Sequence, residues 1–282
     1  MVSALASAFG GHGARLLDVH SDADHNRSVL TLVGEPQSLA DALIAGAKEA
    51  FARIDMRFHD GAHPCIGALD VAPVVYLSPG ERDLATDEAL AVANRLAGEL
   101  DVPVFLYGSL ATDADRRERA YFRGGGLPTL AERMQSGELA PDFGPPRPHP
   151  TAGATLVSCR APLVAFNLEL AEPDLDKAKA IAAELRESGG GPRGVRAIGV
   201  MLERAKAAQV SVNVHDPFAV PLAEIVARAR EAAARHGADI ARAELVGLAP
   251  AAALEGFPED LPLLGSESGA HVLEKRLTSG RG

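Results

Sequence analysis

The sequence predicts an α+β fold in two halves, each a mixed sheet with helices packed on one face. Three observations carry that prediction. At 282 residues the chain has room for two domains of about 150 residues. Short apolar runs with strand character alternate with longer segments of helical periodicity, and the second half starts the pattern again. Hydrophobic residues make up 47% and charged ones 23%, a balance that excludes wholesale disorder.

Taken in order, residues 1–9 read as part of a helix, being too short and too poor in basic residues for a signal peptide. Two strands follow, 15–20 and 28–33, joined by the polar linker Ser21-Asp-Ala-Asp-His-Asn-Arg27. That linker must sit at a strand end, where its side chains meet ligand or water. Leu39, Leu43, Ile44, Ala47, Phe51 and Ile54 recur at helical spacing. The stretch 57–67 is irregular, and the strand 68–77 contains Pro73, which marks an edge, bend or bulge. A helix over 86–100, entered at Thr86-Asp-Glu, leads to a strand over 102–107. Gly124-Gly-Gly126 reads as irregular. So does 141–150, whose five prolines make it either a rigid spacer or a preordered ligand loop.

The second half is expected to have strands at 154–157, 163–168, 196–202, 208–214 and 243–248, with helices over 175–188 and 222–235. Beyond Leu254 the chain turns rich in Gly, Pro and Ser, and its end is expected to be loosely packed.

Lys and Arg number 28 against 38 Asp and Glu, a net charge of −10 that disfavours nucleic acid and anionic lipid as partners. An anionic substrate would need a locally cationic cleft. With Cys65 and Cys159 as the only cysteines, the chain fits a reducing compartment. No run approaches the roughly 20 apolar residues of a membrane span, so a soluble, cytoplasmic protein is expected.

His63 is the first chemical candidate. Gly61, Pro64 and Gly67 keep its segment out of a helix, so the imidazole is displayed from a loop. There it either satisfies a local hydrogen bond or moves protons near neutral pH. His59 and His63 are four apart, as in a zinc helix, and His20, Asp22, Asp24 and His25 offer further ligands. Asp60 replaces the motif's glutamate, however, and Gly61 and Pro64 undermine the helix, so no metal is expected. Cys65 could be a nucleophile beside His63, but no third orienting group is evident. No phosphate loop follows any strand, which excludes the common nucleotide-binding motifs.

Asn26 and Arg27 feed directly into a strand, where an arginine can grip a carboxylate and an asparagine supplies donor and acceptor. They equally suit a solvated turn. Gln209, Ser211 and Asn213 alternate with three valines, so all three share one face. That face either meets water or lines a polar cleft.

Taken together, several stretches resemble the formiminotransferase domain of glutamate formimidoyltransferases, the folate enzymes of histidine degradation. They include Leu17-Asp-Val-His-Ser, Asp24-His-Asn-Arg-Ser-Val, Gly61-Ala-His-Pro-Cys-Ile-Gly-Ala-Leu-Asp70, Ala140-Pro-Asp-Phe-Gly-Pro145, Val195-Arg-Ala-Ile-Gly199 and Ala208-Gln-Val-Ser-Val-Asn213. The resemblance covers most of the chain. It implies two α/β subdomains, residues 1–162 and 163–282, whose sheets carry helices on their outer faces and face each other across a tunnel, in a homodimer. It also implies transfer of a formimino group from N-formimino-L-glutamate to N5 of tetrahydrofolate, a co-substrate in one-carbon metabolism.

The family's reactive histidine falls on His63, which would act as general base and then acid. Its folate-contacting segment falls on Gly144, Pro145, Pro146, Arg147, Pro148, His149, Pro150, Thr151, Ala152 and Gly153. Asn26, Arg27, Gln209 and Asn213 are then expected near substrate or folate, with Arg123, Arg147 and Arg160 as anchors for glutamate carboxylates. The family's Gly-Glu-His-Pro-Arg-Met-Gly reads Gly61-Ala-His-Pro-Cys-Ile-Gly67 here. A strand carrying Pro-Asn-Phe-Ser-Glu-Gly ordinarily precedes the first helix, and this chain opens within that helix. Those departures support an alternative, a folate-binding homologue that has lost turnover.

Overall fold

The computed structural model describes residues 1–264 and 271–279. The chain forms two compact units. The first takes Met1–Leu16 and Leu32–Ala161, and the second takes Leu17–Thr31 together with the chain from Pro162 onward. The hairpin of β1 (Arg15–Asp22) and β2 (Arg27–Val33) therefore starts and ends in the first unit, while its distal part belongs to the second.

Helix α1 (Val2–Phe9) precedes the hairpin and α2 (Pro36–Arg53) follows it, entered through a proline at its first position. A five-residue strand β3 (Val71–Val75) leads to α3 (Arg82–Leu100). Helix α3 starts four residues before the expected Thr86. The reason lies upstream, where the Glu81 carboxylate accepts the amide protons of Leu77 and Ser78, each at 3.0 Å, and closes a capping box. Next come β4 (Val104–Leu106), α4 (Arg119–Arg123), α5 (Gly126–Gln135) and β5 (Thr155–Arg160). The glycine run 124–126 separates two helices that the sequence reading did not anticipate. Gly125, at φ +76°, makes the break between them.

Strands β3, β5 and β4 form one sheet in that order, and both pairings are parallel. A mixed sheet was expected here. Pro73 lies on the edge strand β3, where a missing amide costs least. Strand alternation sends Val104, Leu106, Val157 and Cys159 into a core shared with α2 and α3. Phe105, Tyr107 and Leu156 point the other way, into a second core with Phe122, Leu130 and Met134. Helices thus cover both faces, as a parallel sheet requires. Arg116 straps α4 down: its guanidinium lies 5.8 and 5.6 Å from the Phe105 and Phe122 ring centres and donates to Asp142 at 2.7 Å.

The second unit contains β6 (Val164–Leu170), α6 (Leu175–Leu185), β7 (Val195–Leu202), β8 (Ala207–Val214), α7 (Leu222–Arg235), β9 (Ile240–Val246), β10 (Leu263–Leu264) and α8 (Leu273–Thr278). Its sheet runs β10-β9-β6-β8-β7 and is mixed: β7, β8, β6 and β9 pair antiparallel, and β10 adds in parallel. Val164, Phe166 and Leu168 with Val210, Val212 and Val214 form the face that packs under α6 and α7. The tail is better packed than expected up to Leu264, since Leu261 is buried and β10 pairs with β9. Residues 265–270 and 280–282 lie outside the described residues.

Candidate active site

His63 is half-buried on irregular backbone in the first unit, as Pro64 and its flanking glycines dictate. Its loop is held by main-chain contacts to a segment almost ninety residues away. The Ala154 amide donates to the Ile66 carbonyl at 2.9 Å, and the Ala68 amide donates to the Ala152 carbonyl at 2.9 Å. Gly67 and Gly153 pair between them. The backbones come so close that a Cβ on Gly67 would stand 1.9 Å from the Ala154 carbonyl oxygen, and one on Gly153 2.2 Å from that of Ile66. Gly153 also holds φ +75°, a conformation side chains resist.

The loop and the end of the proline-rich segment are therefore brought together. Within that segment His149 serves the turn itself, its Nδ1 accepting from the amides of Ala152 at 3.0 Å and Thr151 at 3.3 Å. That fixes Nδ1 as the unprotonated nitrogen. The His149 ring also rests against Phe51, with centroids 5.7 Å apart. Ala152 and Gly153 are buried, Thr151 and Pro148 half-buried, and Gly144, Pro146, Arg147 and Pro150 exposed, with Pro145 intermediate. Arg147 pairs with Asp101 at 2.9 Å where both are open to solvent. Such a pair restrains its guanidinium weakly.

Asp70 ties the histidine loop to a cation. Its Oδ1 accepts the Ile66 amide at 2.8 Å, and its Oδ2 forms an ion pair with Arg123 of α4. Cys65 lies beside both. Burial, reinforced by Asp70 and opposed by Arg123, pushes its thiol up to about 11. A thiol protonated at neutral pH is a poor nucleophile, which argues against Cys65 in that role. Sequence reasoning missed Arg119, although its spacing of four from Arg123 puts both on one side of α4. Among the described residues, no group of three or more His, Cys, Asp or Glu is placed to hold a metal ion.

The second unit gathers the other candidates. Asn167, Gln209 and Glu244 share the sheet face opposite the helices, since Asn167 pairs with Ser211 and Glu244 in register and Glu169 with Gln209. The distal hairpin supplies their neighbours. His20 Nε2 stands 3.7 Å from Glu244, Asn167 Nδ2 donates to Glu244 at 3.1 Å, and the His25 ring lies beside Gln209. Asp24 accepts the amides of Arg204 at 2.6 Å and Ala205 at 3.2 Å in the β7–β8 turn.

The question left open by the alternation of 209–213 is thus answered in part. Gln209 is 5% and Asn167 2% exposed, so this part of the face is covered rather than washed by solvent, whereas Ser211 and Asn213 remain half-buried. Asn26 sits at φ +47°, the turn geometry asparagine tolerates best, and that gives it a reason to be there apart from any ligand. Burial, with help from Arg27, holds His25 below its ordinary value, while Asp22 and Glu244 oppose.

Comparison with known proteins fits this division. Residues 1–160 match the formiminotransferase domain, N-terminal subdomain, and residues 165–256 match the formiminotransferase domain. The chain is 42% identical over 254 residues to the glutamate formimidoyltransferase of Streptococcus pyogenes serotype M1, covering 89% of this chain and 84% of that protein. It is 32% identical over 265 residues to the glutamate formimidoyltransferase of Thermoplasma acidophilum, covering 93% and 87%. Identity to the formimidoyltransferase-cyclodeaminase of Rattus norvegicus is 38% over 248 residues, which span 86% of this chain but only 46% of that longer protein. With one family model on more than half its length and a second on much of the remainder, the chain belongs to the formiminotransferase family.

Proposed function

We propose that this protein transfers a formimino group from N-formimino-L-glutamate to N5 of tetrahydrofolate, with His63 as the proton carrier. The observation that carries the reading is the immobilised His63 loop in a chain 42% identical to a glutamate formimidoyltransferase. Pinning by Asp70, Ala154 and the Gly67–Gly153 contact supplies the fixed geometry that proton transfer in a transition state demands.

The folate N5 attacks the formimino carbon, forming a C–N bond, while His63 takes the N5 proton. The tetrahedral intermediate then breaks its bond to the glutamate nitrogen, to which His63 returns a proton. Glutamate and 5-formimino-tetrahydrofolate leave, and the imidazole ends neutral as it began. The wall for folate is residues 144–153, with Asn26, Arg27, Gln209 and Asn213 as further contacts. The protein works as a cytoplasmic homodimer on small molecules, independently of metal, nucleic acid or membrane. Among the described residues, no helix is long and apolar enough to cross a membrane.

Purified protein given tetrahydrofolate and formimino-glutamate is expected to form the 5-formimino product. His63→Ala is expected to lower kcat by about 10²- to 10⁴-fold, the usual worth of a general acid–base group, while folate affinity stays within about twofold. Undiminished turnover in that variant removes His63 from the mechanism. A second reading, folate binding without turnover, draws on Ala62 and Cys65, which leave the loop without the family's carboxylate and guanidinium, and on the raised Cys65 thiol. Calorimetric binding of tetrahydrofolate with no product favours it.

A further inference from the structure

The face of the first unit's sheet that lies under α4 gathers three arginines, Arg119, Arg123 and Arg160. Alternation along β5 puts Arg160 on the side of Leu156, and alternation from β4 puts Tyr107 on the side of Phe105. Both positions lie at the carboxyl ends of parallel strands, where open α/β sheets place their ligands. Helix α4 brings Arg119 over the same spot, its guanidinium 5.9 Å from the centre of the Tyr107 ring.

Among the described residues Arg123 has a carboxylate in ion-pair contact, that of Asp70, whereas Asp70 and Glu118 act on Arg119 without such a contact. Arg119 forms no ion pair among the described residues, and Arg160 donates to the Ala161 carbonyl at 3.0 Å while its side chain also engages that of Tyr107. Burial holds both guanidiniums below their ordinary range. Tyr107 opposes that shift in each; in Arg119 the neighbouring Arg123 adds to it while Asp70 and Glu118 oppose it, and in Arg160 the nearby Arg119 adds to it. Half-buried cations that face one another without a carboxylate in ion-pair contact are stabilised by an anion, and the planar forks of two arginines with a hydroxyl between them suit a carboxylate.

We propose that Arg119 and Arg160, with Tyr107 between them, form a carboxylate-binding site, and that Arg123 is the positioning residue that links this site through Asp70 to the His63 loop. The inference rests on the function proposed above for its choice of ligand, a glutamyl carboxylate. That group belongs either to the formimino-glutamate donor or to the glutamate tail of folate. With a net charge of −10 over the whole chain, a local cationic site is the means of holding either one.

The test compares wild type, Arg119→Gln and Arg119→Lys, with the melting temperature of each recorded to confirm folding. Steady-state kinetics should show a ten- to hundredfold higher KM for formimino-glutamate in Arg119→Gln, with kcat changed less and partial recovery in Arg119→Lys. If the tail is the ligand, the KM for tetrahydrofolate rises instead, and a folate analogue lacking glutamate shows no such loss. Either pattern supports the site. Independently of turnover, calorimetry with L-glutamate should show binding that weakens at least tenfold in Arg119→Gln, with L-glutamine amide, in which both carboxylates are replaced by amides, binding neither form. A folded Arg119→Gln enzyme with both KM values and glutamate affinity unchanged overturns the proposal while leaving the formimino transfer intact. Arg119-dependent glutamate binding in a protein without turnover keeps the site and removes the reaction.

Discussion

In the first unit the candidate side chains leave irregular backbone, and what holds them is main chain pressed so close to main chain that a Cβ is excluded. In the second unit they leave successive positions of regular strands, and what holds them is one another. His63 depends on Gly67, Gly153 and the Asp70 carboxylate. Gln209, Asn167 and Glu244 depend on strand alternation and on the hairpin side chains His20 and His25. The difference teaches where each unit is brittle. A loop with a few close contacts concentrates its sensitivity in a few residues, whereas a sheet face spreads it over a ladder.

The sharpest way to break that comparison is Gly153→Ala. The added methyl would meet the Ile66 carbonyl oxygen at 2.2 Å in a left-handed conformation, so backbone must move. Strain and overpacking together should cost about 2–5 kcal/mol in urea unfolding, with activity falling further than stability. A loss below about 1 kcal/mol would show that the loop yields easily and is not pinned as described.

Asp70→Asn tests the second restraint. It leaves Arg123 without its carboxylate in a pair whose side chains are 10% and 18% exposed, for a loss of about 2–4 kcal/mol. An unfolding midpoint within error of wild type would separate Arg123 from Asp70.

The smallest effect belongs to the second unit. His25 titrates below its ordinary 6.5 in the folded chain, so the unfolded chain binds its proton first as pH falls. Stability should therefore be fully present above about pH 7 and decline as pH drops through 6.5, by about 1 kcal/mol for each unit of depression. Urea midpoints at pH 7.5 and 5.5 should differ more in wild type than in His25→Gln. Equal differences would mean that burial of this imidazole does not shape the pH response.

Much of the second unit was legible. Helix α7 occupies the residues its periodicity predicts, and the alternation of Gln209, Ser211 and Asn213 with valines correctly places them on one face. Strand and helix periods are local properties, and a sheet with one apolar and one polar face writes them plainly. The first unit was harder to read. Its strands β4 and β5 are buried on both faces, so they show no alternation, and α4 and α5 were lost because a glycine run that separates two helices resembles one that separates none.

The sequence by itself determined most of the segments that become helix or strand, that His63 stands on a loop, and the family to which the motifs belong. It could do so because propensity, proline and glycine act within a few residues. Only the tertiary structure decided that Gly67 meets Gly153, that Asp70 joins the His63 loop to Arg123, that the hairpin covers Gln209, and that Arg119, Arg160 and Tyr107 share one place. Those contacts join residues a dozen or more positions apart, and the burial and charge that give them their chemistry exist only once the chain has closed around them.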